Sequence, residues 1–269
     1  MPRIYISTNL YNPGELGRIF PLLEKIGDPS AGIELFPEWQ SEGFGDELER
    51  YIDRFASYPI SLHGPYYCTE HSSAKGTPVY ARSMAYFRRT LALSQRLNSR
   101  YIVFHHNNCR VEPERRQTMI DTAAANLARL RPAAARCGAI LAVENAGVLS
   151  SGNMLFDEAQ FIEVAGAAAD AVLLDVGHAH ANGWDIQRVI AALADRIIAY
   201  HLHNNDGRAD LHNRIHDGTL DMARILDCCR HYTPQADFVI EYGKQCADDI
   251  AGIAADVAYV RSYIDKPVA

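Results

Sequence analysis

Eight short apolar, β-branched runs recur along the whole chain: Ile4–Ser7, Gly32–Phe36, Ile60–His63, Tyr101–His105, Ile140–Glu144, Val172–Asp175, Ile197–His201 and Phe238–Glu241. Each reads as a strand covered on both faces, because an amphipathic strand would alternate and these do not. Between them lie stretches of helical period. Met84, Phe87 and Leu91 form one stripe, and Ile120, Ala124, Leu127, Leu130 and Ala134 another, closed by Gly138. Strict strand-then-helix alternation implies a parallel sheet, since parallel neighbours need a crossover. Eight repeats with no linker or composition break favour closure into one (β/α)8 TIM barrel spanning residues 1–269 over a doubly wound open sheet.

The polar residues weigh further against the open sheet. Leu62 gives way to His63, Phe104 to His105, Val143 to Glu144, Leu174 to Asp175, Tyr200 to His201 and Ile240 to Glu241, so six of the eight runs end in a side chain able to ligate a metal. In a barrel the strand ends meet at one face, where the active sites of the fold lie. Two loops add donors: His178 three residues past Asp175, and Asp210 with His212 after the seventh strand. A lone histidine at a strand end is commonly just a satisfied polar group, and Glu144 alone could pair with an arginine. Together the carboxylates are another matter, because burying them side by side without a cation costs several kcal/mol per unpaired charge. Nitrogen and oxygen donors without thiolate suit a divalent metal, and the histidine content leans to Zn²⁺ or Mn²⁺.

Composition sets the remaining bounds. At 269 residues the chain can bury a large core unaided. No apolar run approaches the roughly 18–20 residues of a membrane span, and the start, Met-Pro-Arg-Ile-Tyr-Ile-Ser, lacks signal-peptide features, so a cytoplasmic protein is expected. The six cysteines show no Cys-x-x-Cys spacing and read as free thiols; Cys68 and Cys109, just beyond His63 and His105, read as inert. A net charge of −7 disfavours nucleic acid as a partner without excluding it, since metal cations could reverse the sign locally. There is no Walker loop, no Gly-x-Ser-x-Gly and no dinucleotide-binding glycine turn.

His63-Gly-Pro-Tyr66, Phe104-His105, Val143-Glu144-Asn145-Ala-Gly147, Leu174-Asp175-x-x-His178, His201-Leu-His-Asn-Asn-Asp206, Asp210-Leu-His212 and Ile240-Glu241 resemble, in order and over nearly the whole chain, the xylose-isomerase-like barrel superfamily. That superfamily includes sugar phosphate isomerases and epimerases and the endonuclease IV group. The epimerase-like members imply one metal on Glu144, Asp175, His201 and Glu241, with the two glutamates as base and acid on opposite faces of the substrate. The endonuclease IV pattern implies three zinc ions on His63, His105, Glu144, Asp175, His178, His201, Asp210, His212 and Glu241. One to three ions are therefore expected. The chain departs from the nuclease pattern at His105-His106-Asn107, where that group resembles His-Pro-Gly, and at His201-Leu-His203-Asn204. Those departures put DNA binding in doubt.

The resemblance implies isomerisation or epimerisation of a small sugar, keto sugar or sugar phosphate through an enediolate, with proton transfer by Glu144 and Glu241. His178, Arg208, Glu34, Tyr66 and Trp184 are the expected substrate-binding residues, packing or surface charge being the competing explanation for Glu34 and Trp184. The alternative is metal-assisted cleavage of abasic DNA, with Tyr66 and Tyr67 on a sugar or base and Lys75, Arg110, Arg208 and Arg214 on phosphates. A carbohydrate sensor without turnover is a third class, which the intact glutamate pair argues against. The partner expected is a small-molecule carbohydrate; a homo-oligomer stays open.

Overall fold

The computed structural model describes residues 2–266. Strands β1 (Ile4–Ser7), β2 (Gly32–Leu35), β3 (Ile60–Leu62), β4 (Tyr101–Phe104), β5 (Ile140–Glu144), β6 (Ala171–Asp175), β7 (Ile197–Leu202) and β8 (Asp237–Ile240) pair in parallel in chain order. β8 pairs with β1, so the sheet is a closed barrel and the open-sheet alternative falls. Strands β2, β3, β4 and β8 each end one residue before the expected boundary. His63 and Glu241 therefore stand just past their ladders, yet remain pinned by backbone N–H bonds to the carbonyls of Leu35 (2.8 Å) and Leu202 (3.2 Å).

The crossovers carry helices α1 (Ile19–Ile26), α2 (Glu42–Phe55), α3 (Pro78–Leu97), α4 (Arg116–Arg136), α5 (Glu158–Ala168), α6 (Val176–Ala181), α7 (Ile186–Ala192) and α8 (Met222–Tyr232), and α9 (Ile250–Ile264) follows β8. Local chemistry sets their starts. Thr77 caps α3 ahead of Pro78, and Asp157 with Gln160 forms a capping box on α5. The expected stripe on α3 is buried. On α4 the buried face is Met119, Ala123, Asn126, Leu127, Leu130 and Ala134, so Leu127, Leu130 and Ala134 of the expected stripe are buried and Ile120 packs half-buried on the core, while Ala124 is exposed. The runs of adjacent alanines made the helical phase ambiguous there.

Two cores result from the pleat. Odd and even residues of a strand face opposite sides, so Phe104 packs outward under the helices while Val103 faces the barrel axis with Tyr101, Ala142, Ala171, Leu173 and Ala199. Small residues dominate the axis because two tyrosines fill it from below. The Tyr5 ring lies over Gly32, where a Cβ would overlap it, and meets Tyr101 edge-on at 6.2 Å between centroids. The barrel is packed, not a pore. One step of the same alternation further toward the C-terminal ends, the axial positions are His63, His105, Glu144, Asp175, His201 and Glu241. Among the described residues no helix is long and apolar enough to cross a membrane, and the six cysteines are free thiols.

Candidate metal centre

All nine expected donors converge at the mouth of the barrel, including those brought in by loops. His201 is the hub. Its Nδ1 lies 3.4 Å from Glu144 Oε1, 3.6 Å from Asp175 Oδ2 and 3.2 Å from Glu241 Oε2, and all four residues are buried. Donors bound at about 2.0–2.2 Å to one tetrahedral cation stand about 3.3–3.6 Å apart. The second oxygen of Glu144 faces another pair: Oε2 is 2.6 Å from His105 Nε2 and 3.8 Å from His63 Nε2. A third group stands nearer solvent, with Asp210 accepting at 3.2 Å from His178 Nε2 on one oxygen and lying 3.2 Å from His212 Nε2 on the other.

Local structure explains how these side chains are aimed. Asp175 is both the last residue of β6 and the N-cap of α6, its Oδ1 accepting from the His178 backbone N–H at 2.6 Å. That capping bond gives the Asp-x-x-His spacing its physical meaning: the cap fixes the carboxylate and the first helical turn returns His178 to it. His178 Nδ1 then lies 3.3 Å from Glu144 Oε1. Yet His178 Nδ1, His201 Nδ1 and Glu144 Oε1 are buried without a hydrogen-bond partner among the described residues. Close approach without hydrogen-bond alignment is what donors directed at a common point produce, and orphaned buried polar atoms are otherwise costly. The donor set thus fits a divalent cation, with nitrogen and oxygen only and three carboxylates 3.2–3.6 Å from His201 Nδ1.

The electrostatics agree. Burial alone would push Glu144 up, but His105 and His201 beside it hold its carboxyl well below the usual range. Asp175 and Asp210 are likewise lowered against burial, each by His178 first. In return burial is overcome at His201 by Glu241, Glu34 and Glu144, and at His178 by Asp175 and Asp210, so both imidazoles are raised well above the ordinary value. His105 is raised by Glu144, and His212 to about 9 by Asp210. His63 goes the other way, lowered by burial and by His105. Glu241 is pushed up to about 7 by burial, with Glu144 and Asp175 adding to it, so negative charge is still in excess at that corner. A bound divalent cation would take over the balancing role of the imidazolium protons and release them.

The expected substrate residues divide. Tyr66 and His178 line a cleft of about 220 Å³ over the donors, together with Asn9, Phe36, Tyr67, Asn107, Asn108 and Asn153. Glu34 does not reach it: the side chain is fully buried on β2, and its carboxylate accepts from His201 Nε2 at 3.1 Å. Glu34 lies inside β2, one residue before the strand's end, so its side chain sits on the barrel axis below the mouth. Arg208 is exposed and Trp184 packs on Phe161, both outside the cleft lining. Lys75 and Arg110 are exposed and not part of the cleft lining, and Arg214 is held by Asp249 (2.6 Å) and Asp256 (2.8 Å). His203 is a residue the strand-end pattern passed over. It is fully buried two positions beyond His201 on the same face, its Nε2 lies 3.1 Å from Asp175, and its ring stacks on His212 at 4.0 Å. The period-2 rule applied past the end of β7 would have found it.

A closed (β/α)8 barrel with imidazoles and carboxylates crowded at its C-terminal mouth defines the class: a TIM barrel whose candidate site has metal-ligand chemistry. Within that class, the chain belongs to the xylose isomerase-like TIM barrel family, whose model matches residues 22–263. No curated relative matches the chain. Similar solved structures include a D-tagatose 3-epimerase-like protein, at TM-score 0.74 and 18% identity over 97% of this chain and 99% of that one. An IolI protein described with a zinc atom has TM-score 0.77 and 16% identity over 98% and 99%. D-psicose 3-epimerase from Clostridium cellulolyticum has TM-score 0.73 and 11% identity over 99% and 100%. At these identities the likeness is one of fold.

Proposed function

We propose that the chain is a divalent-metal-dependent isomerase or epimerase acting on a small, unphosphorylated sugar or keto sugar. The observation that carries this reading is the cleft lining: asparagines, tyrosines and the donor set, with no lysine or arginine among the described residues. Hydroxyl groups suit Asn9, Asn107, Asn108, Asn153 and Tyr66, whereas a phosphate would find no lysine or arginine to clamp it. The structural neighbours described as sugar epimerases support a carbohydrate substrate.

Glu144, Asp175, His201 and Glu241 would hold the cation, which when bound polarises a substrate carbonyl and acidifies the neighbouring C–H. Glu144 and Glu241 reach the cleft from the ends of β5 and β8, with oxygens 3.4 and 3.2 Å from His201 Nδ1. In this reading one carboxylate removes the proton and the other returns one to the opposite face. The aromatic rings of Phe36, Tyr66 and Tyr67 close one wall and keep water from the exchanged position.

A second reading, metal-assisted phosphodiester hydrolysis, is favoured by one observation. Both oxygens of Glu144 are engaged, Oε2 by His105 and His63, and His178, Asp210 and His212 form a further donor group, as a multi-ion hydrolase would use. One experiment separates the two. Metal-loaded protein in D2O is incubated with free ketoses, their phosphates and an abasic-site duplex. The expected outcome is deuterium beside the carbonyl of a free sugar, reduced at least about 10²-fold in Glu144→Gln. Duplex cleavage without exchange into any sugar would establish the second reading instead.

A further inference from the structure

Four imidazoles of the donor cluster have one ring nitrogen anchored outside it, and three of those anchors are neutral. His63 Nδ1 bonds the Gly64 carbonyl (2.7 Å), His105 Nδ1 the Asn108 side-chain oxygen (2.9 Å), and His212 Nδ1 the Glu241 carbonyl (2.9 Å). His201 differs. Its Nε2 lies 3.1 and 3.4 Å from the two oxygens of Glu34, with both side chains fully buried. His201 is the one ion-pair partner of Glu34 among the described residues. A buried carboxylate without lysine or arginine is expensive to keep unless it does something for the group it faces.

The donor groups also differ in charge. The group around His201 Nδ1 contains the carboxylates of Glu144, Asp175 and Glu241. His63 and His105 share the second oxygen of Glu144, with Glu241 Oε1 a further 4.0 Å from His63 Nε2, and His178 Nε2 with His212 Nε2 share Asp210. Behind the ring, the Glu34 carboxyl faces Nε2 and fixes the ring so that Nδ1 points at the three carboxylates.

We propose that Glu34 is a positioning residue that makes the His201 group the tightest cation site of the cluster, the one a divalent ion fills first. The proposal rests on the metal-centre reading, and its test shows which of the two fails. Chelator-stripped protein is titrated with Co²⁺, followed by visible absorption and by calorimetry. The wild type should take up a first equivalent distinctly more tightly than any later one. Glu34→Gln, nearly isosteric, should weaken that first equivalent by about 10–100-fold while later equivalents and the thermal midpoint of the stripped protein hold. An unchanged first equivalent, or equal weakening of every equivalent, would overturn the role of Glu34; a wild type that takes up no Co²⁺ would overturn the metal centre itself. A measurement without a variant covers the case of a misfolded mutant. In ¹⁵N–¹H spectra of the wild type, one equivalent of Zn²⁺ should leave His201 protonated on Nε2 and shift its Nδ1. Zinc appearing first on His63 or His212 would contradict the order.

Discussion

His71 sits on the loop after β3 with its ring between Phe87 and Phe104, and neither ring nitrogen has a hydrogen-bond partner among the described residues. Burial first, then His105 and His106, hold it down to about 3, while the unfolded chain binds a proton near 6.5. The native state therefore binds fewer protons, and the stabilisation is present above pH 6.5 and lost as pH falls toward 3. Wild-type unfolding free energy should fall by about 1.4 kcal/mol per pH unit from this one residue. In His71→Leu, urea titrations between pH 6.5 and 4.5 should show a slope shallower by that amount; parallel slopes would mean the ring is solvated. At this scale the sequence was partly legible. His63, His105, Glu144, Asp175, His201 and Glu241 were readable because a polar side chain interrupting an apolar run at its C-terminal end has few other reasons to exist. Glu34 was readable as a residue of interest but not in its buried place beneath His201, because sequence gives no depth along the barrel axis. Arg208 and Trp184 depended on loop conformation, which local patterns do not fix.

Helix α6 shows how an element enforces a site. Asp175 caps it, His178 sits in its first turn, and Gly177 lies against the His203 ring so closely that a Cβ would overlap it. That ring is trapped on its other face by His212. Two effects compete in Gly177→Ala: a helix gains roughly 0.5–1 kcal/mol from alanine over glycine, whereas overpacking costs about 1–3 kcal/mol. Overpacking should win, because the ring has nowhere to tip without losing Asp175. The thermal midpoint of the metal-free variant is expected to fall; a rise would show that His203 can move aside. The strands and the period of α3 were visible in sequence because apolar runs and a 3.6-residue stripe are local signals. The face of α4 was visible at Leu127, Leu130 and Ala134 but not at Ala124, since alanines at 123, 124 and 125 leave the phase of that turn open.

Across the whole molecule, topology and site are one statement. Closure of β8 onto β1 turns a one-dimensional list of strand ends into a ring, and axial packing of Tyr5, Tyr101 and the alanines from below leaves that ring facing the cleft. Arg214, paired with Asp249 and Asp256, ties the long loop bearing Asp210 and His212 to α9, so the loop donors share the rigidity of the barrel. Eightfold alternation made this architecture legible in advance; substrate choice, which depends on the cleft lining, was not. The central claim is that the crowded imidazoles and carboxylates exist to hold a divalent cation. Its most direct test is elemental analysis of protein purified without chelators from cells supplied with zinc and manganese, alongside Asp175→Asn. The account predicts at least one equivalent of Zn²⁺ or Mn²⁺ per wild-type chain and a clear loss in the variant. Wild-type protein carrying only traces, or a variant carrying as much as the wild type, would contradict it.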